Sequence, residues 1–233
     1  MMARLICSFR SNLPDILMPE IALVTEPNLR DPLDQTTANA RSRPKPGERR
    51  VQILEVLATL LEQPRAERVT TASLAARLGV SEAALYRHFA SKAQMFDGLI
   101  DFVEQAVMTL VNQIMAKETD AATQARMIVS MVVQFAEKNR GLTRVMVGDA
   151  LVFEHDRLQI RMNLFFDKLE AAIKQCLRDA AAGSGSFAGT FDPQAQASVV
   201  SAFILGRLQR FTRSDFKRLP SEHLQASLKC LLG

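Results

Sequence analysis

Apolar residues recur along most of the chain at steps of three and four. In residues 51–61 this spacing places them on one face of an α-helix. The same spacing predicts further helices over residues 96–114, 127–135, 142–151, 158–177, 193–208 and 221–232. No segment alternates apolar and polar residues as a half-buried strand does. The pattern therefore predicts an all-α protein of about nine helices.

Local signals in the first half of the chain predict two short helices joined by a tight turn. Thr70 or Thr71 caps the first helix, and Gly79 follows its end. Ser81 caps the second helix, which runs through Phe89. Two short helices with a glycine turn and inward apolar residues are typical of a helix-turn-helix, although such hairpins also occur in bundles that bind no DNA.

The second short helix has an outward face suited to DNA. With Leu85 and Phe89 facing the interior, Ala83 and Arg87 point away at 100° per residue. An alanine methyl can contact a thymine methyl, and arginine binds guanine O6 and N7. Nearby hydroxyl, imidazole and ammonium groups suit phosphates, although His88 is also typical of a surface histidine. The candidate DNA-binding residues are Thr70, Thr71, Ser81, Ala83, Ala84, Tyr86, Arg87, His88 and Lys92.

Positive charge is concentrated around this motif. Residues 41–92 hold ten Lys/Arg against five Asp/Glu, whereas residues 93–233 hold 16 against 15. Such a concentration indicates a polyanionic partner. Residues 1–46 contain six of the nine prolines and show no helical period, so we expect a disordered arm. The predicted organisation is this arm, a helix-turn-helix domain over 47–92 and a helical domain over 93–233.

The motif resembles a known family of regulators. The stretch TTASLAARLGVSEAALYRHFASKAQMF is similar to the N-terminal DNA-binding region of TetR-family proteins. The family hallmark, L-G-V followed by L-Y-x-H-F-x-x-K, is matched here by Leu78, Gly79, Val80, Leu85, Tyr86, His88, Phe89 and Lys92. This resemblance implies a three-helix DNA-binding domain followed by a helical domain. In most members that domain binds a small molecule, which implies a ligand-responsive transcriptional repressor.

Longer stretches resemble an atypical branch of the family, the nucleoid occlusion factors. They are VSEAALYRHFASKAQMFDGLIDF, EKNRGLTRVMVGDALVFEHDRLQIRMNLFFDKLE and LQRFTRSDFKRLP, within a resemblance that runs from about Arg49 to the C-terminus. This resemblance implies a homodimer that binds palindromic sites on chromosomal double-stranded DNA. While bound, it antagonises ring assembly by the division protein FtsZ. The implied location is the cytoplasm, on the nucleoid.

By the same resemblance, the FtsZ-binding residues lie on the fourth and fifth helices. The matching positions are Phe102, Met131, Lys138 and Asn139. Two neighbouring positions depart from the family: Leu110 stands in place of an arginine and Gln134 in place of a glycine. Phe102 and Met131 also lie on apolar stripes, which are equally typical of core residues.

A dimer is also expected on physical grounds. Two recognition helices about 34 Å apart meet successive major grooves on one side of B-DNA. Small residues four apart near the C-terminus permit close helix packing, either between two copies or within one chain. The candidate dimer residues are Ser198, Val199, Ala202, Phe203, Gly206, Leu224 and Leu228.

The remaining chemistry points away from an enzyme. The three cysteines are far apart without a C-x-x-C pair, and the three histidines are isolated. The run Glu154-His155-Asp156 is expected on one helix, where consecutive side chains diverge. No apolar run is long enough to span a membrane. We expect no catalytic residue, metal or cofactor.

Overall fold

The computed structural model describes residues 47–63, 69–183 and 192–233 of the 233-residue chain. Within these ranges it has nine α-helices, one 3₁₀ turn and no strand, so the predicted all-α class is confirmed. The predicted arm of residues 1–46 lies outside the described residues. The helices are α1 Glu48–Leu61, α2 Thr71–Leu78, α3 Glu82–Tyr86, α4 Lys92–Lys117, α5 Ala121–Lys138, α6 Arg140–Met146, α7 Asp156–Gly183, α8 Pro193–Arg213 and α9 Leu224–Leu232, with the 3₁₀ turn at Asp149–Leu151.

The first three helices form the helix-turn-helix unit. Helix α1 buries one apolar face, with Ile53 and Leu57 almost free of solvent. Helix α2 packs on α1, α3 packs on α2, and the two short helices bury Leu74 and Leu85. Most of the buried apolar side chains in the described residues form one continuous core that runs from α1 into the C-terminal helices. The predicted domain boundary at residue 92 stays a prediction.

Helices α4, α5, α7 and α8 pack together as the C-terminal bundle, and α9 closes against α5 and α8. Phe135 from α5, Phe165 from α7 and Leu208 from α8 are fully buried where these helices meet. A ladder of ion pairs joins the outer edges of α4 and α7. Arg161 donates to Asp97 at 3.0 Å and to Asp101 at 2.6 Å. These contacts fix the long helix α4 that follows the helix-turn-helix unit.

A close helix contact joins the helix-turn-helix unit to the bundle. A Cβ added to Gly141 of α6 would stand 2.0 Å from the carbonyl oxygen of Ala58 on α1, so only glycine fits there. Beside it, Arg144 donates to the Gln63 carbonyl at 3.4 Å and pairs with Asp149 at 2.8 Å. The two parts of the chain therefore meet through backbone contact as well as through side chains.

Some predicted helix limits were wrong by a few residues. The second short helix ends at Tyr86 rather than Phe89. After Tyr86 the chain forms a turn, in which the amides of His88 and Phe89 both donate to the Leu85 carbonyl. The predicted flexible loop AAAGSGSFAG begins inside a helix, since α7 extends to Gly183, and residues 184–191 are outside the described part. Of Glu154-His155-Asp156, only Asp156 is helical.

Candidate nucleic-acid interface

Capping bonds define the ends of the turn between α2 and α3. Thr70 caps α2: its hydroxyl accepts from the Ser73 amide at 3.1 Å, and the Ser73 hydroxyl accepts from the Thr70 amide at 3.2 Å. Gly79 ends α2 with φ +65°, a left-handed conformation in which glycine avoids the Cβ penalty. Ser81 caps α3 by accepting from the Ala84 amide at 3.3 Å. All three capping and turn signals in the sequence are confirmed.

Helix α3 has the two faces that its spacing predicts. Leu85 and Phe89 are each only 1% exposed and anchor the helix on the core. Ala83 and Arg87 are exposed on the opposite side, and Tyr86 is 46% exposed beside them. Ala84 and His88 are half-buried at the edges of this face. The arrangement gives a short outward surface of small residues followed by a guanidinium.

Arg50 connects the start of α1 to the end of this motif. Its guanidinium lies 4.1 Å from the centre of the Phe89 ring and donates to the His88 carbonyl. This contact stabilises the segment that carries Arg87. This contact has no local signal in the sequence, because Arg50 and His88 are 38 residues apart. The neighbouring Arg49 instead donates to Gln52 at the surface.

Two expected phosphate donors are already engaged within the protein. The Thr71 hydroxyl donates to a Glu82 carboxylate oxygen at 2.5 Å, and this uses its only proton. The Lys92 ammonium pairs with Glu154, and their side chains are 19% and 8% exposed. Lys92 therefore does not present the free cation that the sequence suggested. The reason is the turn before α7, which brings Glu154 against the start of α4.

Most of the candidate FtsZ-binding residues are buried. Phe102, Met131 and Asn139 are only 2–3% exposed, so in this structure they pack the core instead of forming a contact surface. The amide of Asn139 donates to the Phe135 carbonyl at 2.7 Å, which fixes the junction between α5 and α6. Lys138 alone of the four is exposed.

The candidate dimer residues divide into two groups. Ser198, Val199, Ala202 and Gly206 lie exposed along one side of α8, with Phe203 half-buried beside them. No atom lies within 4 Å of a Cβ added to Gly206. Leu224 and Leu228 pack into the core of their own chain in this structure, where they are 5% and 1% exposed, and so they form no part of its exposed surface.

The described residues bring together no group of three metal-ligating side chains. Cys176 is buried in the bundle, and burial raises the pKa of its thiol to about 11, so it is protonated at neutral pH. In the same part of the chain, no helix is both long and apolar enough to cross a bilayer.

Family matches cover both parts of the chain. Residues 53–99 match the bacterial regulatory proteins of the tetR family. Residues 119–232 match the family described as tetracyclin repressor-like, C-terminal domain.

Solved structures share the fold. The fatty acid degradation regulator FadR of Bacillus halodurans has a TM-score of 0.66 at 17% identity, over 82% of this chain and 97% of that one. PfmR of Thermus thermophilus, a TetR-family regulator, has a TM-score of 0.65 at 21% identity, over 78% and 95%. At such identities the likeness concerns the fold alone.

Sequence relatives are much closer. The chain is 48% identical to the nucleoid occlusion factor SlmA of Idiomarina loihiensis over 178 residues, which are 76% of this chain and 90% of the relative. It is 45% identical to SlmA of Shewanella sediminis, over 75% of this chain and 88% of the relative. Relatives of this kind are DNA-binding regulators and not enzymes. The chain belongs to the SlmA family of nucleoid occlusion factors, within the tetR-type bacterial regulatory proteins.

Proposed function

We propose that this DNA-binding regulator reads palindromic chromosomal sites as a homodimer, with α3 of each copy in a major groove. The observation that carries the proposal is the orientation of α3. Leu85 and Phe89 hold it on the core, while Ala83 and Arg87 face outward where bases would lie. The exposed small residues of α8 offer the surface on which two copies would pair. A two-fold axis through that pair would place two copies of α3 on one side of the duplex.

We further propose that the DNA-bound dimer antagonises FtsZ ring assembly, as the resemblance of its sequence to nucleoid occlusion factors implies. The buried candidates cannot form the contact in this conformation, so the exposed surface nearby must do so. An open groove between α4 and α7 is one such surface. Lys138 is exposed at the end of α5. Residues lining the groove are Asp101, Glu104, Gln105, Met108, Thr109, Asn112 and Lys168.

Leu110 bears on how this chain would hold FtsZ. It is 6% exposed and stands where the family has an arginine, so this chain offers no cation at that position. A contact through the α4–α7 groove would instead depend on its polar and acidic side chains. Variants at exposed Gln105 or Thr109 are therefore the ones expected to weaken FtsZ binding without unfolding the core.

Arg87→Ala tests the reading face. Selection from random duplexes gives the preferred site, and gel-shift titration compares that site with single-base variants of it. We expect Arg87→Ala to lose about 1–3 kcal/mol on the preferred site and to discriminate less between bases. Arg178→Ala is the matched control, since it removes an exposed arginine of α7. Equal losses for both variants would mean that Arg87 acts only as a general cation.

Co-sedimentation tests the division activity. Polymerised FtsZ is pelleted with the protein, with and without the selected duplex. We expect the protein to reduce FtsZ sedimentation only when its duplex is present. A protein that bound a promoter site but left FtsZ unchanged in both conditions would instead be the ligand-responsive repressor that the wider family suggests.

A further inference from the structure

A basic cleft lies at the C-terminal end of α8. Three exposed arginines line it, and none of its lining residues is acidic. Its volume is about 350 Å³, and it is open to solvent. It shares no residue with the candidate DNA face or with the α4–α7 groove, and it adjoins the candidate dimer surface of α8 at Gly206. The lining residues are Gly206, Gln209, Arg210, Arg213, Ser214 and Arg218; we call this the arginine cleft.

A turn after α8, held by several contacts, brings Arg218 close to Arg210 and Arg213. After α8 the chain reverses through Asp215 and Phe216, which have φ of 50° and 62°. Such left-handed angles are costly for residues other than glycine. The buried Phe216 ring packs on Phe211 with centroids 5.0 Å apart, and the Arg218 amide donates to the Ser214 hydroxyl at 2.9 Å. These contacts hold Arg218 in position across from α8.

The charge around the cleft is unlike that of the rest of the C-terminal region. Residues 207–218 contain five Lys/Arg and one Asp. Residues 93–233 hold 16 Lys/Arg and 15 Asp/Glu in all, so the rest of this region holds 11 Lys/Arg against 14 Asp/Glu. Arg207 points away from the cleft, since it donates to Ser227 at 2.9 Å and lies over the Phe203 ring. The positive charge is therefore gathered at one place on a surface that is otherwise slightly acidic.

The shape of the cleft limits what it can hold. A small ligand is usually buried over most of its surface, and this cleft is too open for that. A DNA duplex needs cations spread along two lines of phosphates, whereas these three arginines converge. Guanidinium groups bind carboxylates in bidentate pairs, and arginine clusters recognise acidic motifs. We propose that the arginine cleft binds an acidic peptide segment of a partner protein.

Fluorescence anisotropy with a labelled, glutamate-rich octapeptide tests this on the full-length protein at low ionic strength. The triple variant Arg210→Gln, Arg213→Gln, Arg218→Gln should weaken peptide binding by about tenfold or more. A matched triple, Lys117→Gln, Arg178→Gln, Lys229→Gln, removes the same charge from exposed sites elsewhere and should change it little. Thermal unfolding and gel-shift titration of the first triple should match the unmodified protein.

Each remaining outcome would overturn the proposal. Equal loss of peptide binding in both triples would mean that general charge attraction, and not the cleft, holds the peptide. Binding of pyrophosphate without binding of the octapeptide would make the cleft a site for free anions. Displacement of the peptide by duplex DNA, together with weaker DNA binding by the first triple, would make the cleft part of the DNA interface. A triple Arg→Lys variant that bound as tightly as the unmodified protein would remove the argument from guanidinium geometry.

Discussion

Two glycines on the helices of this protein have opposite surroundings. Gly141 on α6 faces α1, and a Cβ there would stand 2.0 Å from the Ala58 carbonyl oxygen. Gly206 on α8 faces outward, with nothing within 4 Å of an added Cβ. Both residues permit a close helix contact, but only the space beside Gly141 is occupied by another helix of the same chain. A small residue on a helix thus shows that another segment can approach closely. Only the structure shows which segment does so.

The two glycines lie at contacts with different roles. The contact at Gly141 ties the helix-turn-helix unit to the bundle, so it governs how α3 is oriented relative to the bundle. The open side of α8 leaves room for a second copy, so it would govern how far apart two such units stand. Substitutions at the two glycines should therefore affect different measurements.

Gly141→Ala should have the largest effect. The added methyl meets backbone on α1, which cannot move aside as a flexible side chain would. We expect a loss of about 3 kcal/mol or more in the free energy of unfolding, measured by urea titration. Gly183→Ala is the control, because its added Cβ meets nothing within 4 Å. If Gly141→Ala were as stable as the control, α1 and α6 would not approach this closely.

Separating Lys92 from Glu154 should have the next largest effect. Lys92→Met leaves a carboxylate that is 8% exposed without its cation, which we expect to cost about 2 kcal/mol. Adding Glu154→Gln should recover part of that loss, because the buried charge is then gone. The double-mutant cycle measures the coupling between the two residues. A coupling near zero would mean that the pair does not help to hold the junction.

Lys92 also allows a test of its originally expected phosphate contact. If the pairing with Glu154 is what keeps the ammonium from a phosphate, Glu154→Gln should free it and steepen the salt dependence of DNA binding by about one ion. Gel-shift titrations over a range of salt concentrations would measure the slope. An unchanged slope would assign Lys92 to the junction alone.

These residues show what the sequence could predict. The faces of α3 follow from spacing within a few residues, so Ala83 and Arg87 were correctly assigned outward. The capping residues were found for the same reason, since each cap lies within three residues of its partner. The pairing of Lys92 with Glu154, 62 residues away, has no local signal.

Burial was harder to predict where one sequence pattern is typical of two different roles. An apolar stripe is expected both of a core face and of a partner-binding face. Phe102 and Met131 belong to the first kind, because α4 and α5 pack on each other and on α7. Leu228 is similar, since the direction of α9 is set by a turn at His223 with φ 55°. Three-dimensional packing decided these cases.

Gly206→Leu should weaken dimerisation and leave the stability of the monomer unchanged. Its side chain would project into open space, so we expect the urea midpoint of the monomer to stay close to that of the unmodified protein. A bulky residue in the middle of the small-residue ridge should weaken dimerisation by about tenfold, or about 1.4 kcal/mol. Analytical ultracentrifugation measures this, with Ala181→Leu as an exposed control on α7. Unchanged dimerisation would place the interface elsewhere.

Glu62→Gln should give the smallest effect, at the same junction as Gly141. Partial burial raises the pKa of Glu62 above its ordinary 4.5, and the charge of Arg140 opposes this only in part. Since the native state then holds its proton more tightly than the unfolded state, the ionised form weakens the fold at neutral pH and the penalty fades as pH falls. Contact with solvent screens much of it, so the gain from Glu62→Gln should be small near pH 7 and absent below about pH 4. Urea midpoints of both proteins over this range would measure the difference. A gain that persisted at low pH would mean that the junction responds to the shape of the side chain and not to its charge.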